Sequence, residues 1–376
     1  MEYTVREVCD RRSMKDFLGL PRRIYCNDPF WVQPLDSEIK RVLNPRRNPY
    51  FANALLALFV CYAGQRAVAR TALIVNNQHY RKFGVRAGFY GFFESVDDSD
   101  AVRSLFRAVV AKCHLSGVDV LEGPFNPNHY SELGIQVDRF DAPTAFFQTH
   151  NPPYYPRLLV QSGFRAAAEL FTARNDNAGK YVEERYGPVA QTRVAGDFAV
   201  RHPDLKYLKR DLEVIRSVFN DAFSSNWHFL EVTPAEYRFS AKYLAMVTEP
   251  ELITIVEYQG HPVGVLMCVL DINPLLQRLH GKIGPFSYLR FRRDRSKVNR
   301  LIVYAVGIRK QFQRTCVYRL LLDAMCRTAR KFDVVETTWM SRSNPLAIHA
   351  AERLGMKEDK HFVIYALQLK VNGGTE

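Results

Sequence analysis

No stretch of the chain reaches the ~20 consecutive apolar residues that a membrane-spanning helix needs. The longest apolar run, Ala54 to Ala63, has the length of a strand. The opening Met-Glu-Tyr-Thr-Val-Arg-Glu lacks the apolar segment of a secretory signal, so a cytoplasmic location is expected. CxxC pairs are also missing. Cys9, Cys26, Cys61, Cys113, Cys268, Cys316 and Cys326 stand singly, which argues against structural zinc and a disulfide framework. They read as reduced thiols, mostly buried, and no metal is expected. Low-complexity tracts are absent, and 47% apolar with 24% charged residues describes a globular chain. Acidic residues are in short supply: 39 face 52 basic ones, a net charge of +13. Such a surface suits an anionic partner, whether nucleic acid, anionic lipid, an acidic carrier protein or a phosphate-bearing cofactor. No helix-turn-helix, zinc-finger or RNA-recognition signature is present, so nucleic acid is the least supported.

What is present looks duplicated, and 376 residues suit two domains. An apolar run reaches Tyr62, turns at Gly64 and resumes to Val75; another reaches Tyr258, turns at Gly260 and resumes from Val263. Both read as hairpins with Tyr-x-Gly at the corner. Farther on, Asn151 leads through an amphipathic stretch to Gly163-Phe164, and Asn344 leads likewise to Gly355-Met356. The tyrosines lie 196 residues apart and the glycines 192, so one fold occurs twice. Thr172 to Thr192 reads as a linker, giving domains at 1–192 and 193–376.

Each half then offers a helix, a hairpin, a strand, a helix, a strand, a helix and a strand, a mixed α/β sheet. In the first half, Phe89 to Phe93 is a strand and Asp97 to Ser99 cap a helix carrying Val102, Leu105, Phe106 and Val109. In the second, a helix begins near Pro203. A strand over Leu301–Ile308 precedes a helix over Thr315–Lys331, and Phe362–Leu369 closes the sheet.

This order resembles the GNAT N-acyltransferase superfamily. The resemblance implies that a central strand ends in a loop whose backbone N–H groups, with the next helix N-terminus, hold the pyrophosphate of coenzyme A. The matching residues are Gly307, Ile308, Arg309, Gln313, Arg314 and Thr315, with Asn344 on the last helix. The family pattern Gln/Arg-x-x-Gly-x-Gly/Ala reads Gln313-Arg314-Thr315-Cys316-Val317-Tyr318 here, so both small residues are replaced. Ala351 stands where the family often has a tyrosine acid. The first half has no such loop. The segments Asp28-Pro29-Phe30-Trp31-Val32, Gly91-Phe92-Phe93-Glu94, Gly123-Pro124 and Asn151-Pro152-Pro153-Tyr154-Tyr155 resemble, in their order, a bacterial subgroup of tandem GNAT proteins similar to bacterial ceramide synthases. That resemblance implies transfer of a fatty acyl chain from acyl-CoA, or acyl carrier protein, to a sphingoid-base amine.

Amide formation from a thioester requires a deprotonated amine, a polarised carbonyl and a departing thiolate. Glu94, flanked by aromatics, is the candidate base, with a helix-capping carboxylate as the plainer alternative. His79 titrates in the useful range but also suits a surface loop. Tyr154 and Tyr155 are candidate donors or mere packing, and His129 is a weaker polar candidate. Backbone N–H groups near Val306 or Gly307 are the expected carbonyl partners. Lys282 to Arg300 combines seven basic residues with Phe286, Tyr288, Leu289 and Phe291. It suits an anionic bilayer, an acidic carrier or simply a solvated insertion. Two further readings stay open: an acyl or aminoacyl transferase acting on a small amine, and a non-catalytic acyl-CoA or nucleic-acid binding protein.

Overall fold

A computed structural model describes residues 2–187 and 196–369. These fall into two compact units. Unit 1 holds 2–170, 276–282 and 361–369; unit 2 holds 171–187, 196–275 and 283–360. The domain boundary expected at Thr192 lies outside the described residues. Most of the expected linker is regular structure: a strand continues to Asn175, and a helix covers Ala178–Tyr186.

The strands, in chain order, are β1 (Tyr3–Glu7), β2 (Ala54–Ala63), β3 (Arg66–Asn76), β4 (Ala87–Ser95), β5 (Val120–Gly123), β6 (Phe125–Asn126), β7 (Glu132–Leu133), β8 (Ile135–Gln136), β9 (Arg165–Asn175), β10 (Phe198–Arg201), β11 (Ile253–Tyr258), β12 (His261–Leu270), β13 (Arg300–Ile308), β14 (Val334–Thr337) and β15 (Lys357–Gln368). The helices are α1 (Arg11–Ile24), α2 (Asp36–Val42), α3 (Asn77–Phe83), α4 (Ser99–Leu115), α5 (Tyr155–Gln161), α6 (Ala178–Tyr186), α7 (Leu208–Phe223), α8 (Pro234–Leu244), α9 (Asn273–Gln277), α10 (Pro285–Arg295), α11 (Val317–Ala329) and α12 (Pro345–Arg353).

In unit 1 the strands run in the order β1-β2-β3-β4-β5-β15. Alternation along β2 sorts its side chains between two cores, because successive residues face opposite sides of a strand. Ala57, Phe59 and Cys61 join α4 and α5, whereas Leu58, Val60 and Tyr62 join Phe17 of α1. Asp98 caps α4 by accepting from the N–H groups of Asp100 and Ala101. In unit 2 the order is β10-β11-β12-β13-β14-β9. Gly264 of β12 packs under Val317 and Leu321 of α11, while Gly307 of β13 packs under Ala222 and Phe223 of α7. Gly264 pairs with Ile308, so it shares a face with that residue and not with Gly307. Helices therefore cover both faces.

The duplication is visible in the registers. Each unit has an antiparallel hairpin (β2–β3, β11–β12), an antiparallel neighbour (β4, β13) and then a parallel strand (β5, β14). Each also bulges just beyond the parallel pairing. Phe92 and Phe93 together oppose Thr71 in β4, and Tyr304 is the extra residue in β13.

Two expectations are corrected. The C-terminal strand does not close the second half's sheet: Tyr365–Gln368 pair with Val120–Gly123 inside unit 1. The helix near Pro203 starts later, at Leu208 after a short 3-10 turn. Leu205 and Leu208 are exposed, and the first buried side chain of α7 is Asp211, paired with Arg201.

Gly91 has no room for a side chain, since a Cβ would stand 1.9 Å from the Phe125 carbonyl oxygen. Gly91→Ala should lower stability by about 2–4 kcal/mol, seen as a lower urea midpoint. Gly19 lies in α1 with nothing within 4 Å. Gly19→Ala should raise stability by about 0.5–1 kcal/mol and move the midpoint the other way.

Candidate active site

β3 is apolar from Ala67 to Val75 except for Arg70 and Thr71. Arg70 pairs directly across the ladder with Glu94 of β4. Their side chains approach to 3.7 Å, with only 7% and 15% of their surfaces exposed. The guanidinium also donates to the Phe17 carbonyl of α1 at 2.5 Å and lies over the Phe17 ring. The other carboxylate oxygen of Glu94 accepts from the Tyr155 hydroxyl at 2.7 Å and the Tyr25 hydroxyl at 2.8 Å. Tyr155 in turn accepts from the Ser95 N–H at 2.9 Å, which fixes its proton toward Glu94. Tyr25 caps the C-terminus of α1 and stacks on Trp31, and its hydroxyl is also 3.2 Å from the His150 carbonyl. His150 contacts Asp28 at 2.7 Å. Burial pushes Glu94 above the ordinary glutamate range, against the pull of Arg70 and the two hydroxyls. Asp98, not Glu94, caps α4, so the plainer reading of Glu94 as a cap does not hold.

A second carboxylate lies close enough to be felt. Glu132 of β7 pairs with Asn126 of β6 and takes a hydrogen bond from its side chain. Burial first, and then the charge of Glu94, push Glu132 up to about 7. Asn126 also accepts the Phe92 N–H at 2.6 Å, at the bulge where Phe92 has a φ of +51°. The parallel β4–β5 pairing ends at Phe89, and the chain's own Phe125–Asn126 then lies along β4. Unit 2 differs. Its parallel pairing ends at Val303, and Tyr304, Ala305 and Val306 remain half-buried in the middle of the sheet.

The other nominated residues divide. Tyr154 donates to the Ser95 carbonyl at 2.9 Å, beside the cluster. His79 is fully buried on α3, packed against Phe83 and Phe89. It is not the surface-loop residue that the bland reading described. Phe89 is five residues from Glu94 along β4, on the order of 15 Å, so His79 stands apart from the carboxylate. His129 packs on Phe89 and Phe125.

The nominated cofactor residues lie in unit 2. Gly307 and Ile308 are buried in β13. Arg309 is engaged by the Pro262 carbonyl and the Ser217 hydroxyl. Gln313, Arg314, Thr315 and Cys316 are exposed and lead into α11, whose N-terminus has no side-chain cap. The loop offers charge and an open helix end to an anion, but not a tight cradle. The Lys310 N–H is already taken by Asp221 at 2.8 Å, and the Tyr318 hydroxyl bonds the Leu346 carbonyl. Asn344 caps α12 by accepting from the Ala347 N–H.

Comparison with solved structures matches this architecture along the whole chain. A tandem GNAT protein from the clavulanic acid biosynthesis pathway superposes with a TM-score of 0.56 at 11% identity, covering 98% of this chain and 99% of its own. The fold is the tandem GNAT fold. No family model matches the sequence. By sequence, this GNAT-fold chain is 29% identical to the bacterial ceramide synthase of Caulobacter vibrioides over 94% of each chain. It is 24% identical to protein YghO of Escherichia coli over 97% of this chain and 95% of that one.

Sequence reasoning passed over Tyr25, Arg70, Asn126 and Glu132. Arg70 had a signal, a single cation inside an apolar strand. Glu132 had none, because its burial depends on the long-range packing of β6 and β7. No group of three or more candidate metal ligands occurs among the described residues. No helix there is long and apolar enough to cross a membrane.

The raised value of Glu132 predicts a pH effect. Its carboxyl binds a proton more tightly when folded, so its support for the native state is full below about 4.5 and lost as pH rises through about 7. Glu132→Gln should flatten that loss, gaining on the order of 1–2 kcal/mol relative to wild type between pH 5 and pH 8 in urea titrations.

Proposed function

We propose that this GNAT-fold N-acyltransferase moves a long fatty acyl group from a thioester of coenzyme A, or of an acyl carrier protein, onto the primary amine of a sphingoid base to form a ceramide. The likeness to the Caulobacter ceramide synthase over 94% of both chains supports the substrate class. The observation that carries the chemistry is the buried Glu94 carboxylate, held by Tyr25, Tyr155 and Arg70 with a small part of its surface open.

An amine attacks only as the neutral base, so a proton must leave it near neutral pH. A glutamate raised by burial binds that proton better than one in water. Tyr155 and Tyr25 orient the carboxylate, while Arg70 keeps its charged form accessible. Tyr155 is itself pushed well above 10, first by burial and then by Glu94. It serves better as an aiming hydroxyl than as a proton donor to a thiolate. When bound, the thioester supplies the acyl carbon and the sulfur that leaves. The new C–N bond replaces the C–S bond, and the amine proton passes to Glu94. Within unit 2, Lys310, Arg314 and the α11 N-terminus are the groups that suit an anion such as a phosphate.

Purified protein supplied with palmitoyl-CoA and sphinganine or 3-ketosphinganine should give the N-acyl product by mass spectrometry. Glu94→Gln should lower kcat by about 10²–10⁴-fold without unfolding the protein. Arg314→Glu should raise KM for the donor with kcat nearly kept. Product formed only from acetyl-CoA and small amines would replace the lipid reading with that of a small-amine acetyltransferase. No product with any donor would leave only the fold.

A further inference from the structure

α10 belongs to unit 2, and the proton chemistry proposed above makes no use of it. Phe291 anchors it, at 4% exposure, and Arg295 is tied to the Thr248 carbonyl and Glu249. The outer side is different. Phe286 is 89% exposed and Leu289 64%, among the most exposed large apolar residues described. Residues three, four and seven apart share a helix face, so Phe286, Leu289, Arg290 and Arg293 form one outward stripe. Arg290 and Arg293 both lean on Asp294, the only acidic residue between Lys282 and Lys297, where six cations stand. Arg292 is exposed beside them. The stripe is graded along its axis, with apolar side chains at the N-terminal turn and guanidinium groups behind.

We propose that α10 docks unit 2 on an anionic bilayer, with Phe286 and Leu289 entering the acyl region and Arg290, Arg292 and Arg293 meeting lipid phosphates. The arrangement selects this partner. Nucleic acid would use the arginines but gives no place to an exposed leucine and phenylalanine, which lose water contact only in an apolar phase. Arginine beside an inserted apolar side chain keeps its charge at the headgroup level. The short helix makes the contact shallow and reversible. The purpose rests on the lipid-amine reading, since a long-chain base and its product reside in membranes, but the contact can be tested without either.

The test is co-sedimentation of the full chain with vesicles, without substrate. Wild type should pellet with phosphatidylcholine–phosphatidylglycerol vesicles and not with phosphatidylcholine alone, and salt should release it. Phe286→Ala with Leu289→Ala should weaken binding about tenfold or more. Arg292→Gln with Arg293→Gln should weaken it about tenfold or more, at about fivefold per arginine. Acyl transfer in detergent micelles should be unchanged in both variants and should fall only when the amine is presented in anionic vesicles. Wild type that ignores anionic vesicles would overturn the proposal. So would variants that bind vesicles like wild type, or that lose only binding to double-stranded DNA or to an acidic acyl carrier protein. Vesicle binding without acyl transfer from any donor would uphold the docking surface and remove the lipid-transferase reading.

Discussion

The pair of Arg70 and Glu94 ties unit 1 together. Two opposite charges on adjacent strands are held with little water around them. Such a pair is costly to desolvate, and losing one partner leaves the other uncompensated, a penalty of about 3–5 kcal/mol. The surroundings are built to reduce that cost. The Phe17 carbonyl and ring take up the guanidinium, and two tyrosine hydroxyls take up the carboxylate. α1, α5, β3 and β4 thereby meet at one carboxylate.

The two copies of the fold share a strand order and differ just past it. Both keep the hairpin, the bulged fourth strand and the parallel fifth strand. In unit 1 the gap that opens past the parallel pairing is filled by Phe125 and Asn126, and Asn126 satisfies the bulged N–H. In unit 2 the corresponding strand stays half-exposed, and its following loop is open and basic. Glu94 and the two tyrosines that bond it lie in the first copy, and the basic loop lies in the second.

Much of this was legible in the residues. Apolar alternation and Tyr-x-Gly corners mark the hairpins, and the offset between Gly163 and Gly355 marks the repeat. Glu94, Tyr154 and Tyr155 converge because an Asn-Pro-Pro-Tyr-Tyr turn delivers α5 to the end of β4. Other features depend on contacts distant in sequence. No local pattern says that β15 pairs with β5, since a final strand adds equally well to either sheet. His79 carries a titratable ring, but its place between Phe83 and Phe89 makes it a core residue. Tyr25, reaching Glu94 from 69 residues away, has nothing in its own neighbourhood to announce it.

Glu94 as the proton acceptor is tested most directly by the pH dependence of kcat/KM for acyl transfer to a long-chain amine. If Glu94 is the base, the wild-type profile has an acid limb whose midpoint lies above the ordinary glutamate value, as burial requires. Glu94→Gln then loses that limb along with most of the rate. An unchanged acid limb in a folded, slowed Glu94→Gln variant would contradict it and leave the carboxylate as a structural partner of Arg70.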